Sequence, residues 1–218
     1  EKSTPYHAWR SVFSRCLKID HLPDDVEVRR RQVLAALESD PEALRVAPLL
    51  NAVLPLELPE NDLTAQMSGQ VRADNTHALL THLLQHLADS EPLLLLLEEA
   101  HWRDSASWAL VLAVSRAVHP LLMVITTRPL GDLQPADFQQ LLDNPNLSQI
   151  NLDSMPADEI SQLICHRLGV KALPEQVDRL ILQRAEGNPF FSEELAFALR
   201  DTGLITITEG ECRVAPDV

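Results

Sequence analysis

Two short apolar runs separated by a helix-length segment set the strongest limit on how this chain folds. "LLLLL", residues 93–97, and "LLMVITT", residues 121–127, are both of strand length. Continuous apolar runs suit strands buried on both faces, as in a parallel sheet. "SASWALVLAVSRAV" between them reads as a helix. Strand, helix, strand predicts a βαβ unit with a right-handed crossover. "SQINLDS", residues 148–154, is expected to add a third strand.

Helices are predicted on either side of this unit. "PYHAWRSVFSRCL" places Tyr6, Trp9, Val12, Phe13 and Leu17 near helical spacing. "DDVEVRRRQVLAALES" has an acidic start that suits a helix N-terminus. "PEALRVAPLLNAVLPL" is expected to break near Pro48, and "NTHALLTHLLQHLAD" is strongly periodic. From Pro156 onward three further helices are predicted, with Gly169, Gly187 and Gly203 where they should stop. The alternating tail "LITITEGECRVA" breaks at Glu209-Gly210, which signals a β-hairpin.

Bulk properties exclude some functions. The 218 residues carry a formal charge of −14, which argues against direct nucleic-acid contact from this segment. Cys16, Cys165 and Cys212 are odd in number and without a CxxC, so a reducing, cytoplasmic setting is expected rather than a disulfide framework or zinc site. No apolar run reaches the roughly 18 residues of a membrane span, and no membrane partner is expected. The chain does not begin with Met, and it is read as a fragment or processed form.

The candidate chemistry sits where the strands end. In open α/β sheets, ligands bind at the carboxyl ends of the strands. Glu98 directly follows the first run and could hold Mg²⁺ through water; Glu99 could polarise a water that attacks a γ-phosphate. The same pair would also suit a solvated strand end. Asp104, with Ser105 and Ser107, reads chiefly as a helix N-cap. Trp102 is expected to pack the loop against the sheet, and His101 is read as a polar edge residue rather than a metal ligand. The second run ends in Thr126, Thr127 and Arg128, which could sense a phosphate at the same sheet edge or simply terminate the strand before Pro129. No G-x-x-x-x-G-K-[ST] occurs anywhere, so the backbone cradle for phosphates is missing from this sequence.

"LLLLLEEAHWRDSASW", the strand ending "TTRP", the later "GNPFFSEEL" and the early "STPYHAWRSVF" together resemble the STAND class of P-loop NTPases. The likeness is to the AAA-type ATPase modules beside class III adenylate or guanylate cyclase domains and in large LuxR-type regulators. It spans nearly the whole chain. It implies an α/β fold: a partial parallel-sheet P-loop core over 1–153 without its Walker A loop, a small helical domain over 154–201, and the start of a winged helix over 202–218. By position, Glu98 matches the Walker B acid near Mg²⁺, Glu99 the catalytic acid and Arg128 the sensor, with Thr127 beside it. Gly187 and Pro189 match a Gly-x-Pro motif whose proline lies near adenine, and Phe190 and Phe191 are expected in the helical core. The first acid in this class is commonly Asp; Glu98 reaches further, which suits weak or slow hydrolysis because Mg²⁺ tolerates poor geometry badly. The implied function is an ATP- and Mg²⁺-dependent conformational switch within a multidomain signalling protein. Its expected partners are ATP or ADP and fused output or sensor domains, with protein partners or self-association besides. The ATPase module of a LuxR-type transcription regulator and a nucleotide-free interaction scaffold are the alternatives.

Overall fold

A computed structural model of the chain describes residues 5–100, 104–129 and 135–215. They form two compact units, 1–147 and 148–218, each with its own hydrophobic cluster.

The first unit is a helical layer built around one βαβ element. A 3₁₀ turn at His7–Trp9 leads into α1 (Arg10–Cys16). Tyr6, Trp9, Phe13 and Leu17 are all buried, as their spacing predicts. Trp9 donates its indole N–H to the carbonyl of Ser107, 3.3 Å away, which ties this segment to the crossover helix. The Asp25 carboxylate accepts the N–H groups of Glu27 and Val28 and starts α2 (Val26–Ala36). Asp40 caps α3 (Pro41–Arg45) by accepting from the Ala43 N–H. The helix gives way at Val46 to a 3₁₀ segment, Ala47–Ala52, carrying Pro48. The long helix α4 (Gly69–Ala88) buries Leu79, Leu80, Leu83 and Leu84. Its start lies six residues before the apolar periodicity at Asn75 begins, because polar residues open it.

β1 (Leu93–Leu97) and β2 (Leu121–Ile125) are parallel, with Leu93 opposite Leu121 and Leu97 opposite Ile125. α5 (Ser105–Ala117) is the crossover between them. Leu95 and Leu97 lie in the core with Leu110, Val111 and Val114 of α5. The other face departs from the expectation of two buried faces: Leu94 is 69% exposed and Leu122 64%, with Leu96 and Val124 exposed beside them. Only one layer of the described residues lies against this sheet. α6 (Ala136–Leu142) was not foreseen; its neighbour in packing is Trp108, whose ring stands 4.8 Å from that of Phe138.

The second unit holds α7 (Ala157–Leu168), α8 (Glu175–Ala185), α9 (Pro189–Asp201) and an antiparallel hairpin, β3 (Ile205–Thr208) with β4 (Glu211–Val214). Ile160 and Ile164, Val177 and Ile181, and Ala196 and Leu199 stack at helical spacing into one core, which Ile205 of the hairpin joins. Glu209 and Gly210 both take left-handed backbone angles, as a two-residue hairpin turn of this hand requires. Two expectations fail here. Residues 148–154 pair with no strand among the described residues, and Ile150 and Leu152 are exposed. Their alternation supplied one strand's pattern, but a strand also needs a neighbour to pair with. Phe190 and Phe191 are exposed, not core. α9 buries Ser192, Ala196 and Leu199. Phe190 lies two residues before that stripe, roughly 200° around the helix.

No helix of the described residues is long and apolar enough to cross a membrane.

His77 on α4 lies 2.9 Å from the Tyr6 hydroxyl, which donates to Nε2 when the ring is neutral. Burial pushes its pKa down, against the opposing pull of Asp74 and Asp137. The fold therefore favours the neutral ring, while the unfolded chain takes up a proton near about 6.5. Stability from this residue is full above that pH and declines as pH falls through it. His77→Gln should lose less of its urea midpoint than the wild type between about pH 7.5 and 5.5. Equal losses would mean that His77 does not carry this dependence.

Candidate functional site

The carboxyl edge of the two-stranded sheet is held by Thr126. Its N–H donates to the Leu97 carbonyl at 3.0 Å, and its own carbonyl accepts from the Ala100 N–H at 2.8 Å. Its hydroxyl oxygen accepts from the Glu99 N–H at 3.2 Å. Ladder pairing is thus carried one step past both strands. Within that step Glu99 has a φ of 51°, in the left-handed region that a residue with a Cβ seldom adopts. The bend follows a buried Leu97 and precedes a buried Ala100, so both acids are carried on a short exposed arch anchored at each end. Glu98 continues the alternation of Leu94 and Leu96, while the bend redirects Glu99.

Thr127 and Arg128 are exposed at the same edge. The Thr127 hydroxyl donates to the Arg128 carbonyl at 2.9 Å, so it is engaged in shaping its own turn. Asp104 behaves as the sequence predicts: one carboxylate oxygen accepts the Ser107 N–H at 2.9 Å and the other accepts its hydroxyl at 2.7 Å. His101 and Trp102 lie outside the described residues. Glu98, Glu99, Thr127 and Arg128 are therefore brought to one sheet edge. The role of Thr126 in holding Glu99 is a pairing that no sequence pattern announces.

Hard oxygen donors on an exposed strand end fit Mg²⁺, which typically takes one or two carboxylates and fills its remaining positions with water and phosphate oxygens. Among the described residues no group of three His, Cys, Asp or Glu side chains converges as a metal cage. Such a cage is not the arrangement that a phosphate-bridged Mg²⁺ uses. The described glycines with left-handed angles are Gly69, Gly169, Gly187, Gly203 and Gly210, and none follows β1 or β2. Among the described residues, the edge supplies acids and a guanidinium but no glycine-rich cradle.

Gly187 and Pro189 belong to the second unit. Gly187 has a φ of 78°, and a Cβ there would stand 2.7 Å from the Ser154 Cβ and 3.0 Å from the Met155 carbonyl oxygen. The Gly187 carbonyl accepts from the Met155 N–H at 2.9 Å. Pro189 opens α9, where a missing N–H costs nothing, and Asn188 caps the helix by accepting from the Phe191 N–H. Both motif residues thus have local work in joining α8 to α9.

Residues 156–213, which run from the start of α7 to β4, match the family described as "Domain of unknown function (DUF8739)". Adenylate cyclase type 10 of Rattus norvegicus is 25% identical over 170 residues, covering 78% of this chain and 10% of that protein. The Mus musculus protein of the same name is 26% identical over 147 residues, 67% of this chain and 9% of its own length. That of Homo sapiens is 24% identical over the same span of 147 residues. The chain spans about a tenth of the length of the curated relatives it matches. No solved structure matches it. The chain is thus similar to a limited part of a large adenylate cyclase.

Gly187→Ala should destabilise the second unit by about 1–3 kcal/mol, since the new methyl meets backbone at a φ that disfavours it. Thermal unfolding of the variant beside the wild type checks this. An unchanged midpoint would mean that the 154–155 segment yields freely.

Proposed function

We propose that this chain is part of an ATP-binding regulatory module of the STAND NTPase class, serving an adenylate or guanylate cyclase as a nucleotide-dependent switch with slow hydrolysis. The observation that carries the reading is the convergence of Glu98, Glu99, Thr127 and Arg128 at the carboxyl edge of two parallel strands in register. The similarity to adenylate cyclase type 10 supports the output. The uncovered face with Leu94, Leu96, Leu122 and Val124 is where further layers of such a core would pack.

In this reading Mg²⁺ bound with ATP supplies charge neutralisation on the phosphates. Glu98 would hold the cation's water shell from the strand end. Glu99, turned aside by its left-handed bend, would accept a proton from the attacking water. Arg128 would meet the charge of the terminal phosphate. Gly187 and Pro189 hold the α8–α9 junction of the second unit, which by resemblance would border an adenine. Exchange of ATP for ADP then biases the arrangement of the module and so the activity of the fused domain.

Calorimetric titration of ATP with Mg²⁺ into this chain and into its full-length gene product tests the reading. Binding is expected in the full-length product and not in the isolated chain, which has no phosphate cradle of its own. There, Glu98→Ala should remove the Mg²⁺-dependent part of the affinity. Glu99→Gln should lower turnover by about a hundredfold while binding persists. A full-length product that binds no nucleotide would put an interaction scaffold in place of the switch.

A further inference from the structure

We propose that Cys165 and Cys212 form a dithiol site that a small-molecule disulfide oxidises to an intramolecular bond, clamping the β3–β4 hairpin onto the end of α7. These are the two cysteines of the second unit, and both pack, half-buried, against the same hydrophobic cluster. Cys165 lies on α7 one residue after the buried Ile164. Cys212 lies on β4 opposite Ile207.

A three-residue segment, Lys171–Leu173, joins their surroundings. The Leu173 backbone lowers the Cys165 pKa against the burial that raises it. Two residues earlier, the Lys171 N–H donates to the Gly210 carbonyl at 3.1 Å. Gly210 is the hairpin turn, and a Cβ there would lie 3.7 Å from the Gly169 carbonyl oxygen. Cys212 follows that turn by two residues. The turn is therefore seated by the C-terminal end of α7, where Gly169 stands four residues after Cys165 and Gly210 two before Cys212. The two thiols also feel each other: burial raises both, and the charge on Cys165 raises Cys212 further.

Access is present as well. Cys165 lines an open cleft with Ser161, Gln162, Lys171, Leu173 and Asp178. A reagent such as oxidised glutathione can reach a sulfur there. One protein thiolate attacks the reagent, whose S–S bond breaks and releases one glutathione. The second thiolate attacks the protein sulfur of the mixed disulfide, forming the new S–S bond and releasing the second glutathione. The two thiol protons end on the two glutathione molecules, which take up two electrons from the cysteine pair. The closed loop runs from Cys165 to Cys212 and encloses α8, α9 and β3, so it restrains the unfolded chain across the whole unit. The site is independent of nucleotide binding. Cys16 belongs to the other unit, where burial pushes its thiol up to about 11, and takes no part.

The test incubates the whole folded chain with oxidised glutathione at about pH 8.5, where raised thiols begin to ionise, then alkylates and maps peptides without reduction. The expected product is a Cys165–Cys212 link, formed as well in Cys16→Ser as in the wild type and released by dithiothreitol. The same incubation in urea should give several-fold less of it. The linked chain should melt higher by about 5 °C or more. Separate glutathione adducts on both cysteines of the folded chain would overturn the proposal, as would equal linkage in urea. An unchanged melting point in the linked chain would overturn the clamp.

Discussion

The parallel pairing of β1 with β2 is the constraint on which the first unit depends. Parallel strands cannot be joined by a tight turn, so the chain must return across the sheet through α5. That return puts both carboxyl ends at one edge, and with them Glu98, Glu99, Thr127 and Arg128. It also decides what the N-terminal segment can do. Trp9 closes over the first turn of α5 through the Ser107 carbonyl, and the Asp104 cap fixes where that turn begins. The exposed acids are thereby mounted on a frame joined by a buried ring, a capping carboxylate and paired backbone groups.

Thr126 makes this frame specific. One residue satisfies Leu97, Glu99 and Ala100 together. Without the hydroxyl, the Glu99 N–H would turn to water and the left-handed bend would lose its internal support. The bend matters because two consecutive acids on a regular strand would point to opposite faces of the sheet. With the bend, Glu98 keeps the strand alternation and Glu99 leaves it.

Much of the chain was legible because local rules and packing agree there. Asp104 reads as a cap and is one; Glu209-Gly210 reads as a hairpin turn and is one. The leucine run gave the strand but not its exposure. Five identical residues carry no alternation, so Leu94 and Leu96 cannot be told from Leu95 and Leu97 until something covers one side. Residues 148–154 failed for a related reason, since pairing is a property of two segments. Phe190 and Phe191 were misplaced because the motif that holds them fixes the start of α9 but not which side of it faces the core. At the candidate site, the acids and Arg128 were legible as residue types at strand ends. Thr126 as their support was not, because a side-chain bond across 27 residues leaves no mark in the local pattern.

Gly187 shows how a motif residue can be explained twice. By resemblance, Gly187 and Pro189 border a nucleotide. By geometry, Gly187 is glycine because a Cβ there would stand 2.7 Å from the Ser154 Cβ and tight against the Met155 backbone, at a φ that disfavours side chains. These accounts are compatible, and the second is the more basic. A ligand border made of backbone needs two chain segments in contact first, and glycine is the residue that lets them meet. Pro189 then fixes the direction in which α9 leaves that contact, and the Asn188 side chain holds its first turn. A junction built this way is held by the chain's own backbone and cap, with no ligand needed to form it.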